Sequence, residues 1–410
     1  MGSPTGINAA RLLSRLSALG AIGGLPGGGV CRLALTEEDK SARAHVIDLM
    51  RQLGLKVTVD QIGNVVGIRA GESNESPVLI GSHIDTVKTG GLYDGNLGVL
   101  AGLEVVECLN EHAMATRRPL GVCFFTNEEG ARFAPDMMGS MVHQGHLDLD
   151  EMLSQCDSDG RSVSDALSAI GYAGDEPVNS LRASAFLELH IEQGPVLEEA
   201  GITIGAVESV QGISWTEVTI QGVSNHAGTT PMRLRHDAGY VASAIAVFVR
   251  DLALKMGGDQ VGTVGLLEVE PNLVNVIART GRLTVDLRNT DNAKLVQAEQ
   301  ALADYLQCIA VQEGVQIETK SLARFEPVEF AAELVDAVAA TATRLGHSVR
   351  KMPSGAGHDA QAFAPNCPTA MIFVPSVRGI SHNIEEFTAP KHIEAGANVL
   401  LELAMERANL

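Results

Sequence analysis

The strongest constraint in this chain is a set of short apolar runs that each stop on polar or ionisable residues. Pro77-Val-Leu-Ile-Gly-Ser82 leads into His83, Leu120-Gly-Val-Cys-Phe-Phe-Thr126 into Asn127-Glu128-Glu129, and Ala185-Phe-Leu-Glu-Leu-His190 ends on its own imidazole. Runs this short and this apolar read as strands buried on both faces, the pattern of a parallel sheet covered by helices. Helical spacing separates them, at about 95–111 and 159–170, and a further helix is expected at about 37–53 behind the capping-box pattern Thr36-Glu-Glu-Asp39. Val57–Asp60 and Asn64–Ala70 read as a hairpin. The expected class is α/β, a central and mostly parallel mixed sheet flanked by helices.

From Ile213 the rhythm changes to a strand (213–222), a helix (237–256), strands near 260–270 and 280–288, a helix (292–314) and a strand (315–322). That order, βαββαβ, is the split ferredoxin-like unit. After Glu326-Pro327 the α/β rhythm resumes with a helix at 331–345, a strand at Thr369–Val374 and a last helix near 390–408. The chain therefore reads as one catalytic domain, 1–212 and 327–410, interrupted by a smaller α+β domain, 213–326, with hinges near Gln211-Gly212 and Phe325–Pro327.

Composition removes several functional classes. Lys plus Arg number 30 against 50 Asp plus Glu, a formal charge of −20, and aromatics are only 4 %, with Trp215 the sole tryptophan. Phosphate backbones would be repelled and stacking platforms are scarce, so nucleic acid is not an expected partner. With no run near the ~18 apolar residues of a membrane span and no basic-then-apolar start, no membrane is expected and the address reads as cytoplasmic. Six cysteines without a Cys-x-x-Cys pair read as reduced, mostly buried fillers.

His83 and Asp85 are two apart on extended chain and so share a face, where the carboxylate would fix the imidazole's tautomer. This makes Asp85 a catalytic candidate, either behind a metal ligand or in a plain His–Asp pair. Asp94, in Tyr93-Asp94-Gly95, stands at a helix start, as a ligand or as an N-cap. Neighbouring Glu128 and Glu129 diverge, so that one can bind a metal while the other serves as general acid and base. Gly379-Ile-Ser381-His382 follows the strand ending near Val374. His83, Asp94, Glu129, His190 and His382 thus collect at strand ends, where open α/β sheets place their sites. Three imidazoles and two carboxylates suit Zn²⁺, Mn²⁺ or Co²⁺ better than Ca²⁺ or Mg²⁺. If Asp94 bridges, two divalent ions would each keep two private ligands and share a water.

The motifs resemble a known family, the dinuclear-metal amidohydrolases of the aminoacylase and carboxypeptidase-like peptidase superfamily, and within it the hydantoinase/carbamoylase branch. The residues that carry the likeness are Gly81-Ser-His-Ile-Asp-Thr-Val87, Gly91-Leu-Tyr-Asp-Gly95, Phe125-Thr-Asn-Glu-Glu-Gly-Ala-Arg-Phe133, Glu188-Leu-His-Ile-Glu-Gln-Gly194, Ser224-Asn-His-Ala-Gly-Thr-Thr-Pro-Met232, Ser354-Gly-Ala-Gly-His-Asp-Ala360 and Gly379-Ile-Ser-His382. The resemblance implies one metal on His83 and His190, another on Glu129 and His382, Asp94 between them and Glu128 as general base. It also implies substrate contacts at Gln193, His226, Asn275, Arg288 and His358, with His226 acting on the reacting carbonyl. On the residues alone, Arg288 could instead pair with Asp286, His226 could be a surface histidine, and His358 could only cap the next helix.

The activity so implied is hydrolysis of a ureido C–N bond, foremost of N-carbamoyl-L-amino acids to amino acid, carbon dioxide and ammonia. Allantoate amidohydrolase and β-ureidopropionase are the alternatives. A dipeptidase or N-acyl aminoacylase fits less well, because peptidase relatives more often place a carboxylate where His190 stands. A metal-free binding protein on this fold is at odds with the intact ligand set and Glu128. The implied partners are a small ureido substrate bearing a carboxylate and a second copy of the chain, a homodimer through the inserted domain in which His226 reaches the partner's site.

Overall fold

The computed structural model describes residues 6–410. It divides into two compact units, one running to Glu208 and resuming over Glu329–Leu410, the other Ser209–Val328. In chain order the strands are β1 (Lys56–Val59), β2 (Val65–Arg69), β3 (Val78–His83), β4 (Leu120–Phe125), β5 (Ala185–Ile191), β6 (Ile204–Val210), β7 (Gly212–Gln221), β8 (Val261–Glu270), β9 (Thr280–Asn289), β10 (Gln316–Phe325), β11 (Val328–Glu329), β12 (Val349–Ser354) and β13 (Thr369–Val374).

The large sheet is ordered β1-β2-β4-β3-β5-β13-β6-β11, with β12 beside β6. Its centre is parallel, β4 on β3, β3 on β5 and β5 on β13. Its flanks are antiparallel, β1 on β2, β2 on β4 and β13 on β6. The expected mixed sheet is thus parallel through its four middle strands and antiparallel where β1, β2 and β6 join them. The short Asp60–Asn64 loop explains one side, since a tight connection can return a strand only antiparallel, whereas a parallel neighbour needs a crossover.

Every residue of β3, β4, β5 and β13 is buried, as their predominantly apolar runs require. Helix Asn96–Glu111 packs on β3, β4 and β5, and helix Pro390–Ala408 on β3, β5 and β13. Phe186 and Phe363 stack at 4.0 Å, with Phe125 at 5.5 Å from Phe363, an aromatic floor beneath the strand ends. Removing one such ring costs about 3–5 kcal/mol.

The second unit runs strand, helix, strand, strand, helix, strand, its antiparallel sheet ordered β10-β7-β9-β8. Val218, Ile220, Leu283 and Val285 meet Val241, Ile245, Leu295 and Leu302 of helices Ala238–Met256 and Asn292–Glu313. Both helices start on aspartate caps, with Asp237 accepting from the Gly239 and Tyr240 amides and Asp291 from that of Ala293.

The short helices Met138–His143, Leu149–Ser154 and Val196–Ala200 have no counterpart in the sequence reading, because one or two turns are too few to show a period. The cysteines also differ from expectation. Cys108 and Cys123 are buried, Cys31 and Cys367 partly so, and Cys156 and Cys308 are exposed, the last on the outer face of an amphipathic helix whose Leu306 and Ile309 turn inward. Among the described residues no helix is long and apolar enough to cross a membrane.

Candidate metal centre

Four parallel strands deliver their carboxyl ends to one edge of the sheet, and the ionisable residues follow from that. His83 is the last residue of β3, Asn127-Glu128-Glu129 follows β4, His190 is the penultimate residue of β5, and His382 lies beyond β13. Asp94 sits just before helix Asn96–Glu111, whose N-cap is Gly95 and has no side-chain cap. Its carboxylate is therefore not spent on the helix. Gly95 adopts φ +65, and a Cβ there would stand 2.5 Å from the His83 ring, so only glycine lets the turn pass.

Asp94 is the hub. Its Oδ1 lies 3.6 Å from His83 Nε2 and 3.2 Å from His190 Nε2. Its Oδ2 is 3.3 Å from His382 Nε2, which is in turn 3.2 Å from Glu129 Oε2. Two groups able to hold a metal ion share this carboxylate: His83, Asp94 and His190, all buried, and Asp94, Glu129 and His382, whose imidazole is half exposed.

The donor chemistry fits a cation. His83 Nδ1 contacts the Asp85 carbonyl at 3.0 Å and His190 Nδ1 the Ile191 carbonyl at 2.9 Å. A carbonyl only accepts, so Nδ1 carries a hydrogen, and a ring that gives up its other proton turns an Nε2 lone pair toward Asp94. The Gly95 amide, 3.2 Å from His190 Nε2, agrees with that tautomer. Lone pairs facing carboxylate oxygens are the arrangement a divalent ion completes.

A third grouping, Glu188, His190 and His358, is satisfied otherwise. Glu188 accepts from the Ser82 hydroxyl at 2.6 Å and the Ala360 amide at 2.8 Å, while His358 Nε2 contacts Ser354 Oγ at 2.9 Å. Burial, with His190 beside it, holds His358 well below the ordinary histidine range, so this ring stays neutral.

Asp85 plays a different part from the one its spacing predicts. The strand ends at His83, so the alternation that would bring the two side chains together stops there. The Asp85 carbonyl orients His83, while its carboxylate accepts from the Glu128 and Glu129 amides, each at 3.3 Å. Burial lifts Asp85 to about 6. Burial also lifts Glu128 well above the usual carboxylate range, His83 opposing the shift and Asp359, Glu129 and Asp94 adding to it. Glu128 Oε2 stands 3.3 Å from His83 Nε2.

Backbone strain marks the same edge. Asn127, Gln193 and His382 hold left-handed φ of +56, +58 and +54, conformations that cost about 1–3 kcal/mol each for residues with a side chain. Asn127 is held by its amide donating to the Phe133 and Pro135 carbonyls. Gln193 is drawn in by its Nε2, which donates to Asp94 Oδ2 at 2.9 Å.

Three residues that pattern reasoning passed over also serve the site. The buried Arg32 donates to the Ile84 carbonyl at 2.7 Å and to Asn96 Oδ1 at 2.8 Å, tying the end of β3 to the helix start. Ser381 and Glu386 contact Asp94 and its turn. Ser381 adjoins a candidate ligand and was findable, but no motif singles out Glu386.

His226, Asn275 and Arg288 belong to the second unit. The exposed His226 lies beside the Asn275 segment, where the Ala227 amide donates to the Asn275 carbonyl at 2.9 Å. Its Nδ1 accepts from the Gly228 amide at 3.0 Å and the Thr229 amide at 3.3 Å. Those bonds leave the neutral ring's hydrogen on Nε2, a donor. Arg288, on β9, pairs with Asp286 through NH2 at 2.9 Å and lies over the Trp215 ring at 5.9 Å.

The sequence model of Peptidase family M20/M25/M40 matches residues 79–406. The chain belongs to that family. It is 40 % identical over 407 residues to an N-carbamoyl-L-amino acid amidohydrolase of Geobacillus stearothermophilus, covering 98 % of this chain and 99 % of the relative. It is 38 % identical over 385 residues to an allantoate amidohydrolase of Escherichia coli (strain K12), covering 93 % and 94 %. The crystal structure of an amidase of the hydantoinase/carbamoylase family from Burkholderia multivorans superposes with a TM-score of 0.95 at 44 % identity over 99 % of both chains. The M20 membership and the carbamoylase-type neighbours are those the motifs implied.

For this M20 chain the site's electrostatics predict how metal and pH interact. Hydrogen bonds that His382 donates to Asp94 and Glu129 raise it to about 10, and at His83 and His190 the surrounding carboxylates outweigh the burial that works against charge. Burial raises Glu386 to about 7 and Asp85 to about 6. In each case the folded chain keeps protons that the unfolded chain releases at ordinary values, so stability without metal falls as pH rises from about 4 toward 10. A cation replaces those protons and reverses the loss. The gain in Tm on adding Mn²⁺ should therefore be larger at pH 8.5 than at pH 6, with proton release on binding measurable by calorimetry in two buffers. A gain that shrinks with pH would contradict this assignment.

Proposed function

We propose that the chain hydrolyses the C–N bond of a ureido group on a small carboxylate, with N-carbamoyl-L-amino acids as the first substrate class and allantoate as the second. One observation carries the reading, the two ligand groups sharing Asp94 with the buried Glu128 carboxyl beside them. His83 and His190 would hold one divalent ion and Glu129 and His382 the other, with Asp94 between. Ions bound there polarise the ureido carbonyl and lower the pKa of a water.

Glu128 takes the proton of the attacking water as its oxygen bonds to the carbonyl carbon, then gives it to the amino nitrogen as the C–N bond breaks. General acid–base catalysis works best with a pKa near the working pH, and burial shifts this carboxyl upward from its ordinary value. The carbamate so released decomposes to carbon dioxide and ammonia. The Nε2 donor of His226 stabilises the oxyanion, a contact worth about 3–4 kcal/mol. To Arg288, aligned by Asp286, we assign the substrate carboxylate, and to Gln193, Asn275 and His358 further substrate contacts.

We infer a homodimer through the second unit, a reading its surface supports. Tyr240, Val247 and Leu254 recur every seven residues on one exposed face of helix Ala238–Met256, and edge strand β8, against which that helix packs, exposes Val261 and Leu267. An apolar helix stripe beside an unpaired strand edge suits pairing with a second copy. In the dimer His226 reaches the partner's site.

The test is ammonia and amino-acid release from N-carbamoyl-L-amino acids, allantoate, N-carbamoyl-β-alanine and N-acetyl amino acids, using chelated protein reloaded with Mn²⁺, Co²⁺ or Zn²⁺. Metal-dependent turnover of a ureido substrate is the expected result. Turnover of N-acetyl amino acids alone would replace the ureido reading with an aminoacylase.

A further inference from the structure

His382 has the least support of the candidate ligands. It is half exposed, holds a left-handed φ of +54, and lies in the irregular segment after β13 rather than on a strand. Something must hold that segment against the Asp94 turn if the two residues are to share an ion.

Three side chains besides the ligands and Ser381 tie the two together, Thr89, Tyr93 and Glu386. The Thr89 hydroxyl donates to the His382 carbonyl at 3.4 Å, and Tyr93 meets Phe387 edge-on with ring centres 6.1 Å apart. The third, Glu386, is the most built. The residue is 4 % exposed. Oε1 accepts from the Tyr93 amide at 3.1 Å and the Asp94 amide at 3.2 Å, and Oε2 from the Ser381 hydroxyl at 2.9 Å. Ser381 Oγ also lies 3.1 Å from Asp94 Oδ2. One side chain thus grips the backbone beneath one ligand and the residue preceding the other.

The sequence has made room for it. A Cβ on Gly91 would overlap the Glu386 carboxyl group, and its nearest neighbours are all Glu386 atoms. Gly91 does not hold a left-handed φ, so its missing side chain answers to Glu386 rather than to the backbone.

We propose that Glu386 is a positioning residue that docks the His382 segment onto the Asp94 turn and so assembles the Asp94–Glu129–His382 ion site, leaving the His83–Asp94–His190 site to its strands. This rests on the two-ion reading of the centre. Partners that orient ligands typically carry about 10–100-fold in metal affinity.

The experiment is calorimetric titration of the chelated full-length chain with Mn²⁺, read together with bound metal and Tm. His382→Ala identifies the step belonging to the second site. Glu386→Ala should weaken that step about 10–100-fold and leave the other within about twofold. Glu386→Gln should restore it to within a few-fold, because its carbonyl can accept both amides while its NH₂ donates to Ser381 Oγ. Gly91→Ala, which would push the carboxylate out of its seat, should reproduce the loss with Glu386 still present, and Gly91→Ala combined with Glu386→Ala should be no worse than Glu386→Ala alone.

Fewer than two Mn²⁺ on the unsubstituted chain would overturn the two-ion reading and this proposal with it. Two Mn²⁺ there, with an unchanged second step in Glu386→Ala, would overturn the proposal alone. Equal weakening of both steps with a fallen Tm would also overturn it, since Glu386 would then support only the fold. If Glu386→Ala does not fold, Gly91→Ala decides by the same criteria.

Discussion

Glu128→Gln should bind metal as the unsubstituted chain does and lose about 10²–10⁴-fold in kcat, the usual contribution of a general acid and base. The substitution keeps the side chain's volume and leaves untouched the backbone bond by which the Glu128 amide is held to Asp85. What it removes is a carboxyl that burial has raised, 3.3 Å from His83 Nε2. The loss is about 3–5 kcal/mol of transition-state stabilisation. Because the group acts on the moving proton and not on the resting substrate, KM should change little. Steady-state kinetics with parallel metal analysis measures both. Turnover within a few-fold of the unsubstituted enzyme would remove Glu128 from the reaction.

Asp94→Asn should have the largest effect on metal. Asp94 offers one oxygen to His83 and His190 and the other to His382, so neutralising it damages both ion groups at once. A complete ligand set is worth about 10–16 kcal/mol, hence about 3 kcal/mol per ligand, which is roughly a hundredfold weaker binding at each site. His382→Ala should weaken only one. Calorimetric stoichiometry separates the two patterns, and an Asp94→Asn protein that still binds one ion at full affinity would show that the carboxylate serves a single site.

Membership of the M20 family and the ligand candidates were legible in sequence because each lies where a strong local signal ends. His83 and His190 close predominantly apolar strands, and Glu128 and Glu129 follow another directly. A buried strand has few alternatives, so the residues at its end are placed with it. Asp94 was legible as an acid at a helix start, but two outcomes were open there. Gly95 takes the cap position, and this frees the carboxylate for the imidazoles.

Spacing misled at Asp85. Two-residue alternation holds only while the strand lasts, and β3 stops at His83, so the backbone carbonyl supplies what the carboxylate was expected to supply. Glu386 could not be found at all. In sequence it is one of two adjacent glutamates near the chain's end, and its value comes from Gly91, Tyr93 and Asp94, nearly three hundred residues earlier.

The sequence by itself determined the α/β class, the membership and the identity of the ligand candidates, because all of these are written in local periodicity and in short motifs. Only the tertiary structure decided that one carboxylate is shared between two groups, which tautomers the imidazoles hold, that Asp85 braces the Glu128-Glu129 backbone, and that Glu386 is buried rather than solvated. Those are properties of distance and burial between segments far apart in the chain, and no local pattern encodes them.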